Sequence, residues 1–125
     1  MGYMRHHGMM MTSFSEKYIK AAHDKALEIF GGYKHISGRD FKGSVSGVSH
    51  EQVNGYRSFA VFPDGSKEGW SESDSGDKCR KEFKEWLAAN NSKIFITWVE
   101  FQFGDEDGNN KMLDDSDKYP EEEEK

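Results

Sequence analysis

Five histidines and one cysteine are the side chains of this sequence with the widest chemical range. Imidazole moves protons near neutral pH, and imidazole and thiolate both bind zinc. Either use demands a spacing. Closed metal sites show paired ligands such as Cys-x-x-Cys or His-x-x-x-His, and zinc hydrolases show His-Glu-x-x-His. None of these occurs. His6 and His7 are adjacent, so on a strand they point to opposite faces and do not readily share a metal. No metal and no cofactor is expected. His6, His7, His23 and His50 leave open a small histidine-dependent hydrolase, provided two imidazoles reach a common point. Cys79 lies on the apolar stripe of a predicted helix, where a free thiol behaves as a small hydrophobe. Gly43 to Gly47 is glycine-rich, but lacks the Gly-Lys-Ser/Thr ending of a phosphate loop. No catalytic residue is assigned, and a non-enzyme is the favoured class.

A second set of residues suits binding. Tyr33, Lys34, Arg39 and Lys42 place an aromatic ring and three cations within one irregular segment, residues 31–52. Such a loop could stack on and clamp a small nucleotide-like ligand. Arg57, Lys67, Glu68 and Trp70 flank a turn and form a candidate contact group for a protein partner. His6 and His7 join both lists as side chains on the first strand.

The elements that must hold these residues follow from periodicity. Met4 to Thr12 reads as a first strand. Ser13-Phe14-Ser15-Glu16 has capping-box spacing. The helix after it carries Ile19, Ala22, Ala26, Ile29 and Phe30 on one stripe and ends at Gly31-Gly32. A short strand is expected near residues 44–49. Tyr56 to Phe62 is strand-like, Pro63-Asp64-Gly65-Ser66 has turn chemistry, and Lys67 to Trp70 reads as the returning arm of a hairpin. Trp70 would then pack under the second helix. Ser73 or Asp74 caps that helix, with Cys79, Phe83, Trp86, Leu87 and Asn90 on one face and Lys84 among the residues facing water. Lys93 to Phe103 is a strand apolar on both faces, which sits centrally or is covered on both sides. Glu100 and Gln102 predict that one face turns wet at its end. Lys111 to Leu113 could add an edge strand.

The fold class expected from this order is α+β. Two helices pack on one face of a mostly antiparallel sheet, with a split β-α-β, ferredoxin-like tendency. Residues 1–113 form a single domain, and 114–125 an acidic disordered tail. The net charge of −6 locates most of its excess there, since Asp114 to Lys125 hold seven acids and two lysines. The body is thus nearly neutral, and a nucleic-acid-binding surface is disfavoured. A single cysteine excludes an internal disulfide. No apolar run is long enough to span a membrane, and no secretory leader is legible, so the cytoplasm is the expected location. An edge strand would allow a homodimer.

The stretch Asn54-Gly55-Tyr56-Arg57-Ser58-Phe59, then Pro63-Asp64-Gly65-Ser66-Lys67-Glu68-Gly69-Trp70, then Ser73-Asp74, Gly76-Asp77, Arg80, Phe83 and Trp86-Leu87, resembles a family of small uncharacterised proteins of tailed bacteriophages. His6-His7 with Thr12-Ser13, and Trp98-Val99-Glu100 with Gly104-Asp105, extend the likeness over roughly residues 5–107. Gly8 with its three methionines and the segment Tyr33 to Ser49 depart from the family pattern. The resemblance implies a phage accessory protein that binds and inhibits a bacterial host or defence protein. Sequestering a nucleotide signal is the alternative.

Overall fold

The computed structural model describes residues 5–32, 41–67, 69–91, 93–104, 108 and 110–118. The first strand, β1 (His6–Ser13), leads into helix α1 (Glu16–Gly32). Strand β2 (Arg57–Val61), helix α2 (Ser71–Ala89), strand β3 (Thr97–Phe103) and strand β4 (Lys111–Asp115) follow. The sheet order is β2-β1-β3-β4 and every neighbouring pair is antiparallel. Since β2 and β3 both oppose β1, they run parallel to each other. With α2 between them in sequence and β1 between them in space, they form one split β-α-β unit. The chain is therefore α+β, as expected.

Both helices lie on the same face of the sheet. All five expected stripe residues of α1 are buried: Ile19, Ala22, Ala26, Ile29 and Phe30. They meet Met9 and Met11 of β1, Phe59 and Val61 of β2, Trp98 of β3, and Cys79, Phe83 and Leu87 of α2. Phe83 is wholly enclosed and is the hub. Its ring lies 6.4 Å from both Phe30 and Phe59 and stacks 6.2 Å from Trp86.

Several boundaries differ from the periodicity reading, each for a local reason. The cap of α1 is Ser15, whose Oγ accepts from the Tyr18 amide at 3.2 Å. Ser13 stays in β1 because its hydroxyl donates to the Phe95 carbonyl at 2.5 Å. Helix α2 starts at Ser71, ahead of the expected caps, and Ser73 is buried inside its first turn. Among the described residues no returning arm pairs with β2 after this turn. The Asp64 carboxylate instead accepts from the amide (2.9 Å) and hydroxyl (2.6 Å) of Ser66, curling the chain toward α2. Trp70 is 45 % exposed rather than packed under the helix.

The segment expected as a strand at 44–49 makes one bridge, Val45 to Val61. It still covers the outer edge of β2. Ser46 and Ser49 each give an amide to β2 carbonyls at 2.8 Å and accept its amides on their hydroxyls. The acidic end begins later than expected. Strand β4 runs to Asp115, a single 3-10 turn follows at Ser116–Lys118, and Asp114 is buried. The remainder of that expected tail lies outside the described residues.

Replacing Phe83 by alanine removes the ring that joins both helices to the sheet. A loss of about 3–5 kcal/mol is expected for a Phe→Ala change of this kind. Urea unfolding of the two proteins measures it, and a loss under about 1 kcal/mol would contradict the placement of the hub.

Candidate functional site: the uncovered face of the sheet

Strand alternation places a defined set of side chains on the face that carries no helix. Registers across the three long pairings arrange them in rows. Thr12 stands between Ser58 and Thr97, and Met10 between Ala60 and Val99. Gly8 lies beside Phe101, which in turn faces Met112. His6 faces Phe103. Just beyond the strand ends, Phe14 completes the pattern, with Phe95 stacked 6.0 Å away and Tyr56 edge-on at 6.2 Å.

The rows differ in height. Aromatic rings fill one end, hydroxyls follow, and Phe101 with Phe103 and His6 fill the other end, with centroids 5.9 and 5.2 Å apart. A Cβ at Gly8 would come within 2.8 Å of the Phe101 ring and 3.0 Å of the Val61 carbonyl. The strand therefore needs glycine where the ring crosses it.

Among the described residues nine large apolar side chains are exposed: Met10, Phe103 and Met112 belong to this face, and Phe14, Tyr56 and Phe95 lie at its end, where Phe95 also sits 5.7 Å from Tyr18 of α1. The other three are Val53, Phe62 and Trp70. None of the residues that β1, β2 and β3 direct to this face is Lys, Arg, Asp or Glu. Exposed apolar area that is contiguous, rather than scattered, marks an interaction surface. Its lack of cations makes it unsuited to a polyanion.

The opposite face holds the charges. Arg80 of α2 is buried and donates to the Asp77 carboxylate. Its Nη2 lies 3.3 Å from His7 Nδ1, and its Nε 3.5 Å from Glu100 Oε2. Lys84 donates to Glu100 at 2.7 Å and to Asp114 at 3.2 Å. Glu100 and Gln102, expected to be wet, are both buried. Lys84, expected in water, is part of the seam. These groups fasten α2 to β3 and β4 beside a hollow of about 560 Å³ that Lys81, Glu85 and Leu113 also line. Gly76 leaves room for them, since a Cβ there would lie 2.8 Å from Asp64 Oδ2 and 3.3 Å from Arg80 Nη1.

Burial pushes the Asp77 pKa up, but the His7 hydrogen bond and the charges of Arg80 and His7 together hold it below the ordinary carboxylate value. For Lys84, burial pushes down while Glu100 and Asp114 outweigh it and raise the ammonium above its ordinary value. Cys79 is pushed up to about 11 by burial, then by Glu82, against a smaller pull from Arg80. It therefore stays a thiol at neutral pH and is a poor nucleophile.

The residues singled out from sequence fall in separate places. His6 lies on the uncovered face, and His7 beneath α2. His23 lies 2.9 Å from the Ser46 carbonyl, edge-on to Phe59, and His50 is exposed on the segment before β2. His6 and His7 nonetheless both line one small hollow with Asp64, Ser66 and Arg80. Arg57 pairs with Glu16 at 3.2 Å and Glu51 at 3.7 Å. Lys67 sits 5.9 Å over the Trp70 ring. Lys42 is exposed on the short turn after Phe41. Tyr33, Lys34, Arg39 and Glu68 lie outside the described residues. Among the described residues no group of three or more His, Cys, Asp or Glu is placed to hold a metal ion, and no helix is long and apolar enough to cross a membrane.

Sequence reasoning missed the face itself. Its signal was legible, because Phe95, Thr97, Val99, Phe101 and Phe103 alternate with the core residues of the same strand. A strand apolar on both faces sits centrally or is covered on both sides; β3 is central, between β1 and β4, and the described helices cover one of its faces. No protein-family model matches the chain, and no curated protein or solved structure is similar to it.

Two outcomes test the charged seam. Glu100→Ala leaves Arg80 and Lys84 without their shared buried carboxylate and is expected to cost about 3–5 kcal/mol. The depressed Asp77 pKa contributes stability above the unfolded carboxylate pKa, and this is lost as pH falls through the lower folded value. Lys84 contributes below the unfolded lysine pKa and loses it as pH rises through the higher folded value. Denaturant midpoints measured across pH should therefore fall at both acid and alkaline extremes, and Asp77→Asn should flatten the acid limb.

Proposed function

We propose that this protein is a non-enzymatic phage accessory protein that binds a bacterial protein through the uncovered sheet face and inhibits it. The observation that carries the reading is that, of the nine exposed large apolar residues among those described, Met10, Phe103 and Met112 lie on this face and Phe14, Tyr56 and Phe95 at its end, with Asp115 as a fixed charge at the β4 edge. Aromatic and methionine side chains are the types enriched at the centres of protein interfaces. Strands carry Met10, Phe103 and Met112, so little backbone entropy is lost at those three on binding. The phage setting rests on the motif from Asn54 to Leu87.

A second reading has its own observation. A cleft of about 650 Å³ opens between Phe41, Phe62 and Trp70, with Asp64, Ser66 and Glu72 on its rim. Its volume lies within the roughly 300–1,000 Å³ usual for small-ligand sites. A planar base could stack there, which suits sequestration of a nucleotide-like ligand. A thermal-shift series with nucleotides reads this directly, since a specific ligand raises the melting temperature with concentration.

The principal reading is tested in living bacteria. A photo-reactive phenylalanine analogue at Phe103 should give one discrete covalent adduct with a bacterial protein, identified by mass spectrometry. The same analogue at Lys81, on the opposite side, should give none. Expression should slow growth, and Phe95→Asp should relieve the effect while leaving the melting temperature within a few degrees. Adducts that form equally from both positions, or from neither, would remove the reading.

A further inference from the structure

The cleft between Phe41, Phe62 and Trp70 has a charge as well as a shape. Two carboxylates, Asp64 and Glu72, stand in its lining, and none of the described residues that line it is Lys, Arg or His. We infer that this cleft takes a small methylated ammonium ion, with the Phe62 and Trp70 rings against its methyl groups and Asp64 and Glu72 balancing its charge. It is the cleft of the second reading above, with a ligand of opposite charge. A phosphate there would face two carboxylates and meet no cation among the described lining residues.

The walls are held before a ligand arrives. The Phe62 amide donates to the Ser44 carbonyl at 2.7 Å, and the Ser44 amide donates to the Phe41 carbonyl at 3.0 Å. Phe41 in turn gives its amide to the Phe30 carbonyl in the last turn of α1 at 2.9 Å. Trp70 donates to the Lys67 carbonyl at 3.1 Å and accepts from the Asp74 amide at 3.2 Å, which fixes it at the start of α2. Ser66 orients the Asp64 carboxylate through its amide and hydroxyl. Phe41 is 5 % exposed and closes one wall, while Phe62 and Trp70 are 52 % and 45 % exposed and keep their rings open. Little ordering is left for binding to impose.

The ring chemistry selects the ligand. Aromatic faces attract cations, and the attraction grows as the cation sheds water. A primary ammonium is compact and strongly hydrated. A methylated one carries the same charge under apolar methyl groups, which suits rings flanked by carboxylates. The Trp70 ring already draws a cation, since the Lys67 ammonium lies 5.9 Å over it. Lys67 is outside the cleft lining, and its charge opposes an incoming cation. Lys42 follows Phe41 in the chain but lays its stem against Gly31, where an added Cβ would be 3.4 Å from its Cβ. The positive end of α2 also opposes a cation, and Glu72 and Asp74 in the first turn offset it. The volume of about 650 Å³ suits a free small molecule as the source of the ammonium.

Choline is the probe. Heteronuclear NMR spectra of the full chain, titrated with choline chloride at constant ionic strength, should show one tryptophan indole N–H signal move and saturate. Trp70→Phe should remove that signal and leave those of Trp86 and Trp98 in place. The neutral alcohol of the same shape, with carbon in place of nitrogen, should bind roughly tenfold more weakly. Glu72→Gln should weaken choline severalfold, and Lys67→Met should tighten it. A trimethyl-lysine peptide should bind no more tightly than choline. A Trp70 signal that never moves, a neutral alcohol or a Glu72→Gln variant that matches choline on the wild type, or a Lys67→Met variant that binds no more tightly would overturn the inference. A peptide that binds more tightly than choline would overturn the free molecule as the source. Nucleotides that raise the melting temperature while choline leaves Trp70 unmoved would remove this inference and sustain the second reading. Choline binding with silent nucleotides would do the reverse, and neither result touches the adduct from Phe103.

Discussion

Two helices cannot cover two faces of a four-stranded sheet, and most of this structure follows from that limit. Both helices go to one side because the split β-α-β crossover places α2 there and α1 packs against it through Phe30 and Phe83. The core is accordingly one layer thick, built around Phe83, Met9, Met11 and Trp98. The other side of the same strands is left with the alternate residues. In a sheet half exposed to water those positions are normally polar. Here β1 and β3 carry Met10, Val99, Phe101 and Phe103 instead, so the uncovered face is apolar by composition and not by accident of packing.

The charged seam solves a different problem. Beyond Phe83 and Leu87 the apolar stripe of α2 ends, yet the strands beneath it continue. Arg80, Lys84, Glu100 and Asp114 fill that space with ion pairs. Buried pairs of this kind add little net stability over a hydrophobic filling, but they penalise any other register, because a slip leaves a buried charge alone. The seam therefore fixes how α2 sits on β3 and β4.

The hydroxyl row between aromatic rows gives the face relief, so it selects partners by shape in the absence of charge. The cleft at Phe62 and Trp70 lies beside this surface, at the end of β2, and is physically separate from the row at Met10.

Much of the fold was legible in the sequence. The stripe of α1, the face of α2 from Cys79 to Leu87 and the alternation of β3 are local patterns, and repeating apolar residues at helical or strand spacing can only face a core in one way. Turn chemistry was legible as punctuation but not as outcome. Asp64 and Ser66 could have closed a hairpin, and the competing side-chain bonds between them bent the chain elsewhere. The seam was illegible because Arg80 and Lys84 look like ordinary solvated helix residues until β3 and β4 bring carboxylates beneath them. The uncovered face was half legible. Periodicity states which residues share a face, and it is silent on how many elements the chain has left to cover it. That count is settled only when both helices choose a side, so the sequence alone determined the rows of side chains, and tertiary packing decided which rows remain in water.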